Sequence, residues 1–527
     1  MNHSQNERSS ANLQWLEAHA GTTNELLSAS NRSLVRSLLH AALQDLEHLE
    51  RQVSQIDSTD TLLLKRANDT STRISRLRIA IAPHQTLPTE VLAEVFVNCI
   101  QDLSVEIPVP ASQHIPWRLG HICARWRTIA LSEPRLWNAI LFAYHPRKHT
   151  SIPPALQAAL NQSGQGPLRF EIWCTLKTIS DPDIIPDLIA RYAHRCTDIV
   201  FTLPEHQMKA FLENPSMSFD SLETAMLKIP VGRRHTITHP FLQGARVFES
   251  ASRFRNLTLH GAWSPKDVAL TPEDVNFPWR QLTHIQLCTD SVILSTAHAL
   301  FIMCPNLQDF CLESHIRGDG EMITNSPSDI VLPHLRRMHL ASRDPSYIFE
   351  ILRPLILPTL ASFSQHFEIY DPTMKQPFAP LISLIRRSRC CLTKVVIMQQ
   401  LMPRDLSHPP DEMDALLELL PHVTTFWECG FVIPVPSLQR ILAGDLLNSV
   451  RSLRCSLNSI AAYALFVDII EARWMSEGNG TAILEEAIIY NYASAALQDG
   501  IRKQRMRIRQ IQKRLKMKHR KVTVEKI

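Results

Sequence analysis

A chain of 527 residues that is 45% hydrophobic and 20% charged is too long for one ordinary core and too apolar for disorder, so several domains or a repeat array are expected. Glycine is sparse at 14 residues, and no Gly-rich dinucleotide or phosphate loop, serine elbow, HExxH pair or EF-hand loop occurs, so phosphate-cradling backbone is not expected. The net charge of +4 is uneven, because residues 502–521 carry eleven Lys or Arg and no acid; the basic character belongs to the tail and the body is net negative.

The eleven cysteines are scattered, with no CxxC pair and no His/Cys cluster at metal-ligand spacing. Free thiols in a reducing compartment fit this usage. The 23 histidines have no recurrent carboxylate or thiol near them in sequence, so a lone His such as His284 or His339 reads as structural or surface rather than as a base. No catalytic residue, metal ligand or cofactor is expected. The opening MNHSQNERSSANLQ has no apolar h-region, and no later stretch approaches eighteen uninterrupted apolar residues. The expectation is an intracellular protein, nuclear or cytoplasmic, with no membrane partner.

Residues 1–30 read as a disordered N-terminus. From Ser30 to Ile56, Leu34, Leu38, Leu39, Ala42, Leu43, Leu46, Leu49 and Val53 recur at three- and four-residue steps, which predicts an amphipathic helix. Ser58, Thr59 and Asp60 offer N-caps to a second periodic stretch that runs through Leu63, Leu64, Ala67, Ile74, Leu77 and Ile81 to Pro83. Residues 31–82 therefore form a helical hairpin or a dimerising coiled coil; Asp57, Asn68 and Asp69 break the heptad and favour packing within the chain.

Residues 83–140 form the next expected domain. In LPTEVLAEVFVNCI, Pro88 suits a first helical turn and Glu90 suits its positive end, while Val91, Leu92, Val95, Phe96 and Cys99 line one broad apolar face. Residues 101–114 carry clustered breakers and read as a loop. A second periodic segment from Trp117 contains Leu119, Ile122, Cys123, Trp126, Ile129 and Ala130; Pro134 ends it, and Trp137 opens an apolar run, WNAILF, that suits a strand.

These two segments resemble the F-box, of the fungal F-box-like type. The resemblance rests on Leu87, Pro88 and Glu90, then Val91, Leu92, Val95 and Phe96, then Leu119, Ile122, Cys123, Trp126 and Arg127, and finally Pro134, Leu136 and Trp137, in the family's order and over about one tenth of the chain. It implies a three-helix module that docks on a Skp-type adaptor and through it on a cullin complex. Carried over to this sequence, the adaptor contacts are Leu87, Pro88, Val91, Leu92 and Phe96, with Ile122, Cys123 and Trp126 contributing core or contact. So short a module cannot bury all these groups by itself, and a partner groove would take the surplus.

Residues 141–495 carry a returning triplet with apolar residues at the first, fourth and sixth positions. It occurs at Cys196/Ile199/Phe201, Leu222/Ala225/Leu227, Phe254/Leu257/Leu259, Leu282/Ile285/Leu287, Leu307/Phe310/Leu312, Leu335/Met338/Leu340, Leu392/Val395/Ile397, Val423/Phe426/Glu428 and Val450/Leu453/Cys455. Pro305, Pro333 and Pro358 precede several of the implied strands and stop the unit before. The phase is that of a leucine-rich-repeat-like array, irregular because Glu428 breaks the apolar rule and no Asn ladder is present.

The tail, 500–527, reads as a solvated, largely disordered segment or as a cationic helix with a thin apolar stripe through Ile508, Ile511 and Leu515. Arg502, Lys503, Arg505, Lys513, Arg514, Lys516, Lys518, Arg520 and Lys521 would serve nuclear localisation; without aromatic residues to stack on bases, nucleic acid is not the expected partner. The fold expected is therefore α/β: an N-terminal helical hairpin, a three-helix F-box module, then an irregular leucine-rich-repeat-like α/β solenoid. The function expected is a non-catalytic substrate-recognition subunit of a Skp-cullin-F-box ubiquitin ligase, binding an unknown protein substrate on the array. The other reading is a repeat scaffold that binds proteins without ligase activity.

Overall fold

The computed structural model describes residues 15–16, 19, 27–55, 61–82, 87–100, 104–107, 115–144, 152–174, 184–230, 245–261, 277–289, 292, 294–314, 329–367, 377–399, 412–475, 481–491, 498–514 and 521–526. The chain is mixed α/β and divides into two compact units, Met1–Ala143 with Ser151–Phe170, and Tyr144–Thr150 with Glu171–Ile527.

In the first unit, α1 (Ala29–Gln55) and α2 (Thr61–Ala80) bring Val35 and Ala42 against Ile74 and Leu77 in one core. Val35 lies early in α1 and Leu77 late in α2, so the helices run antiparallel. Helix α3 (Thr89–Cys99) begins after Pro88, with Glu90 in its first turn, where the missing N–H costs nothing and the acid meets the positive end of the helix. It buries Leu92, Ala93 and Phe96.

Two details of this unit differ from the sequence expectation. The segment 101–114 is not all loop: Val105–Ile107 forms strand β1, with Val105 and Ile107 buried and Glu106 exposed, and the rest of 101–114 apart from residue 104 lies outside the described residues. The periodic segment from Trp117 is two helices, α4 (Ile115–Ile122) and α5 (Ala124–Ser132). Cys123 between them is extended, and its Sγ accepts a hydrogen bond from the Trp126 N–H at 3.4 Å, capping α5. An apolar capping residue leaves the hydrophobic period uninterrupted, so the break is invisible in the pattern. Trp137 is buried, donates Nε1–H to the Ala130 carbonyl at 2.7 Å and meets Trp117 edge-on at 4.7 Å. It leads into β2 (Ala139–Ala143), which pairs in parallel with β1. Helix α6 (Pro154–Gln162) follows, and the division between units falls within β3 (Leu168–Trp173).

The second unit continues with α7 (Ile184–Tyr192), β4 (Cys196–Thr202), α8 (Glu205–Leu212), β5 (Thr224–Ile229), β6 (Asn256–Gly261), β7 (His284–Thr289), α9 (Leu294–Met303) and β8 (Asp309–Ser314). Next come β9 (Ile330–Val331), β10 (Arg337–Ser342), α10 (Pro345–Leu352), β11 (Leu355–Ile356), β12 (Ser362–Phe367), α11 (Ala379–Ser388), β13 (Lys394–Gln399) and α12 (Met413–Glu418). The chain closes with β14 (Thr425–Val432), α13 (Val435–Ala443), β15 (Ser452–Leu457), α14 (Ile460–Met475), β16 (Glu486–Asn491), α15 (Gln498–Arg514) and β17 (Lys521–Lys526). From β4 to β17 the strands pair in parallel and in chain order, except that β9 and β11 form a small pair of their own.

The triplets explain this register. In all nine, the first residue is buried just before the strand or, at Cys196, at its first position, and the other two are buried on the strand. Leu360/Phe363/Gln365 on β12 and Leu484/Ala487/Ile489 on β16 follow the same rule. Aligned triplets let each strand entry donate one backbone N–H to the previous entry: Arg255 to Glu223, Thr283 to Arg255, Gln308 to Thr283 and so on to Glu485 on Arg451, at 2.7–2.9 Å. Aromatic contacts such as Phe201–Phe211 at 5.2 Å and Phe301–Phe310 at 4.7 Å join the buried side of the strands to helices. The alternate residues face the other way and are largely polar, whereas parallel strands covered on both faces are apolar throughout.

Of the two forms expected for the basic tail, the structure shows the cationic helix in place of a solvated segment, with Leu515 of the expected stripe lying outside the described residues. Helix α15 buries Ile508 and Ile511, and Arg507 pairs with Asp468 and Glu471 of α14, both at 2.7 Å. Backbone pairing of β17 with β16 then adds a strand to the sheet. A run rich in Lys and Arg looks solvated in sequence, but two isoleucines three residues apart suffice to seat a helix on an apolar neighbour.

Candidate functional site

The adaptor contacts expected from the resemblance separate into two groups. Leu92, Phe96 and Cys123 are buried, at 2%, 1% and 7% exposure. Phe96 packs on Trp126 with ring centroids 4.7 Å apart, and Trp126 is half-buried. These side chains serve the unit's own core, which corrects the assignment of Leu92 and Phe96 as adaptor contacts and gives Cys123 the core role of its two expected ones. Leu87 is half-buried, and its carbonyl accepts Arg125 Nη2–H at 2.5 Å, tying the start of α3 to α5. Pro88 is exposed. Val91, Val95 and Ile122 are 42%, 45% and 58% exposed. Val91 and Val95, one turn apart, with exposed Cys99 another turn on, make the exposed flank of the broad apolar face of α3 whose other flank, Leu92 and Phe96, is buried. Arg135 bonds Glu94 of the same helix at 2.8 Å and Glu133 at 2.7 Å.

In the second unit, the strand residues that alternate with the core rows carry the chemistry. One row runs Asn256, His284, Asp309, Arg337, Ser362 and Lys394 across β6, β7, β8, β10, β12 and β13. Asp309 bonds His284 Nε2 at 2.5 Å and takes the Arg337 guanidinium through two nitrogens. This row and the next line a cleft of about 400 Å3.

The next rows hold a donor cluster that periodicity alone did not reveal. Cys311 and Glu313 are two residues apart on β8 and share a face. His339 on β10 is the register partner of Cys311, and Cys288 on β7 is the register partner of Glu313. Glu313 Oε1 lies 3.8 Å from His339 Nε2 and 3.9 Å from Cys311 Sγ, and the ligand atoms of Cys311, Glu313 and His339 all fall within 4.8 Å of one another. Burial pushes the Cys311 thiol up to about 12 and the Cys288 thiol up to about 11, with Glu313 adding to both. Burial also lowers His339 and His260, the latter being the register partner of Cys288. No metal-ligand spacing announces this cluster in the sequence, because its residues are far apart along the chain and parallel strand register brings them together.

Farther along the same face, Arg454 stacks over Trp427 at 3.7 Å and Lys394 Nζ lies 5.2 Å from that ring. Arg454 also pairs with Glu486 at 3.1 Å. Among the tail cations, Arg502, Lys503, Arg505 and Lys513 are exposed on α15. Arg514 ends that helix and Lys521 begins β17, but their side chains lie outside the described residues, as do Lys516, Lys518 and Arg520 altogether. No helix among the described residues is long and apolar enough to cross a membrane. Comparison with protein-family models gives no match, and no curated protein matches the chain.

Proposed function

We propose that this chain is an F-box-type substrate receptor of a Skp-cullin ubiquitin ligase, holding its adaptor through the helices around α3 and its substrate on the outward face of a leucine-rich-repeat-like solenoid. One observation carries the reading. Helix α3 carries a broad apolar face of which its own unit covers only one flank: Leu92 and Phe96 satisfy the core, while Val91 and Val95 on the other flank are about half exposed. A helix serving only its own domain buries its apolar stripe there. Covering the exposed flank would contribute about 1–2 kcal/mol per valine, less than full burial because each is already partly covered.

The second unit fits the recognition half of this role. Repeated parallel strands with one polar face offer a long row of addressable side chains. On that face the Trp427–Arg454 pair is of the residue types that dominate binding energy at interfaces. Exposed cations on α15 would serve nuclear import, which supports a receptor working in the nucleus or the cytoplasm.

The test is co-purification of the full-length chain with a Skp-type adaptor. Val91→Asp combined with Val95→Asp should release the adaptor with the circular dichroism spectrum unchanged, since both sites are exposed. Failure of the parent chain to retain adaptor, or full retention by the double variant, would overturn the proposal in favour of a repeat scaffold without ligase activity.

A further inference from the structure

We infer that Cys288, Cys311, Glu313 and His339 form a zinc site on the outward face of the second unit's sheet. The four donors sit at the corners of a lozenge built by strand register: Cys311 and Glu313 on β8, His339 beside Cys311 on β10, Cys288 beside Glu313 on β7. Parallel strands about 4.8 Å apart bring the donor atoms of Cys311, Glu313 and His339 within 4.8 Å of one another, and the Cys288 Sγ, which accepts Gln286 Nε2–H at 3.4 Å, turns from that bond to complete the set when the ion binds. Tetrahedral zinc with bonds of about 2.0–2.3 Å keeps its donor atoms roughly 3.3–3.8 Å apart. The 3.8 and 3.9 Å separations around Glu313 are already close to that range. All four side chains are part-buried, with the cleft beside Cys311 and His339 as an approach for the ion.

The donor types select the metal. Two thiols and an imidazole are poor partners for magnesium or calcium, which take oxygen, and good partners for zinc. On binding, the hydrated dication gives up its waters, the two thiols release their protons to solvent, and the imidazole and the Glu313 carboxylate each donate a lone pair. Two thiolates, one carboxylate and Zn2+ leave a net charge of −1, on a face where His260 is the register partner of Cys288. The ion would clamp β7, β8 and β10 together.

The full-length chain, stripped with chelator and dialysed, is titrated with zinc ion alone by calorimetry, and bound metal is counted by mass spectrometry. One zinc per chain is expected. Cys311→Ser and His339→Ala should weaken it by more than the ~10–100-fold that loss of an outer-shell contact costs. Cys391→Ser, at an exposed thiol outside the cluster, should bind as the parent does. Cobalt(II) in place of zinc should give a near-ultraviolet thiolate charge-transfer band, reduced by about half in Cys288→Ser as one of two thiolates is lost. That band is read on the parent chain, so it decides even where a variant fails to fold. No stoichiometric uptake, a cobalt spectrum without the thiolate band, or parent-like affinity in folded Cys311→Ser and His339→Ala would overturn the site.

Discussion

Glu428 occupies a triplet position that should be apolar, and its surroundings explain how it is tolerated. It is fully buried on β14, where its carboxyl oxygens accept the Ser456 N–H at 2.9 Å and the Phe431 N–H. Gly430, at φ +114, makes the turn of chain that brings Phe431 back; a Cβ there would lie 2.6 Å from Gln399 Cβ. Burial outweighs the two N–H donors and pushes Glu428 up to about 8. Below the ordinary carboxylate range the group is neutral whether the chain is folded or unfolded. Between that range and about 8 only the unfolded chain ionises, so this residue makes stability fall as pH rises, by at most about 1.4 kcal/mol per pH unit. Glu428→Gln does not titrate. Whatever its offset in acid, its stability relative to the parent should climb as pH is raised from roughly 5 to 8; urea midpoints at several pH values that stay parallel would refute this.

At the scale of the element, α3 shows why a helix pattern underdetermines a site. Val91, Leu92, Val95 and Phe96 look equivalent in sequence, as one broad stripe, yet the unit's core takes in Leu92 and Phe96, the latter against Trp126, and leaves the valines out. The two groups predict opposite behaviour. Phe96→Ala should cost about 3–5 kcal/mol of the first unit's stability, the price of a cavity in a packed core. Val95→Ala should cost well under 1 kcal/mol, as exposed sites do. Thermal and urea unfolding of the full chain, followed by the fluorescence of the neighbouring tryptophans, distinguishes them; equal losses at the two sites would contradict the packing. The cap at Cys123 belongs here too, because only the fold reveals that one periodic segment is two helices.

For the molecule as a whole, the final helix and strand are part of the second unit. Removing residues 498–527 would strip Ile508 and Ile511 from α14, leave Asp468 and Glu471 without Arg507, and expose the backbone edge of β16. Such a truncation should lower the melting temperature of the second unit and promote association through the bare edge; light scattering and a thermal scan check both, and an unchanged scan would mean the tail contributes nothing. The sequence by itself determined where the strands marked by a triplet run. A triplet returning at intervals near one repeat length forces each copy into the same environment, and hydrophobic burial acts on every copy alike. It also determined that α3 begins at Pro88, because that residue's geometry is local. Only the tertiary structure decided which side chains meet. Cys288, Cys311, Glu313 and His339 come from three strands whose register partners are some 25–28 residues apart. Their convergence depends on parallel pairing, a property of neighbouring backbones that no local pattern encodes.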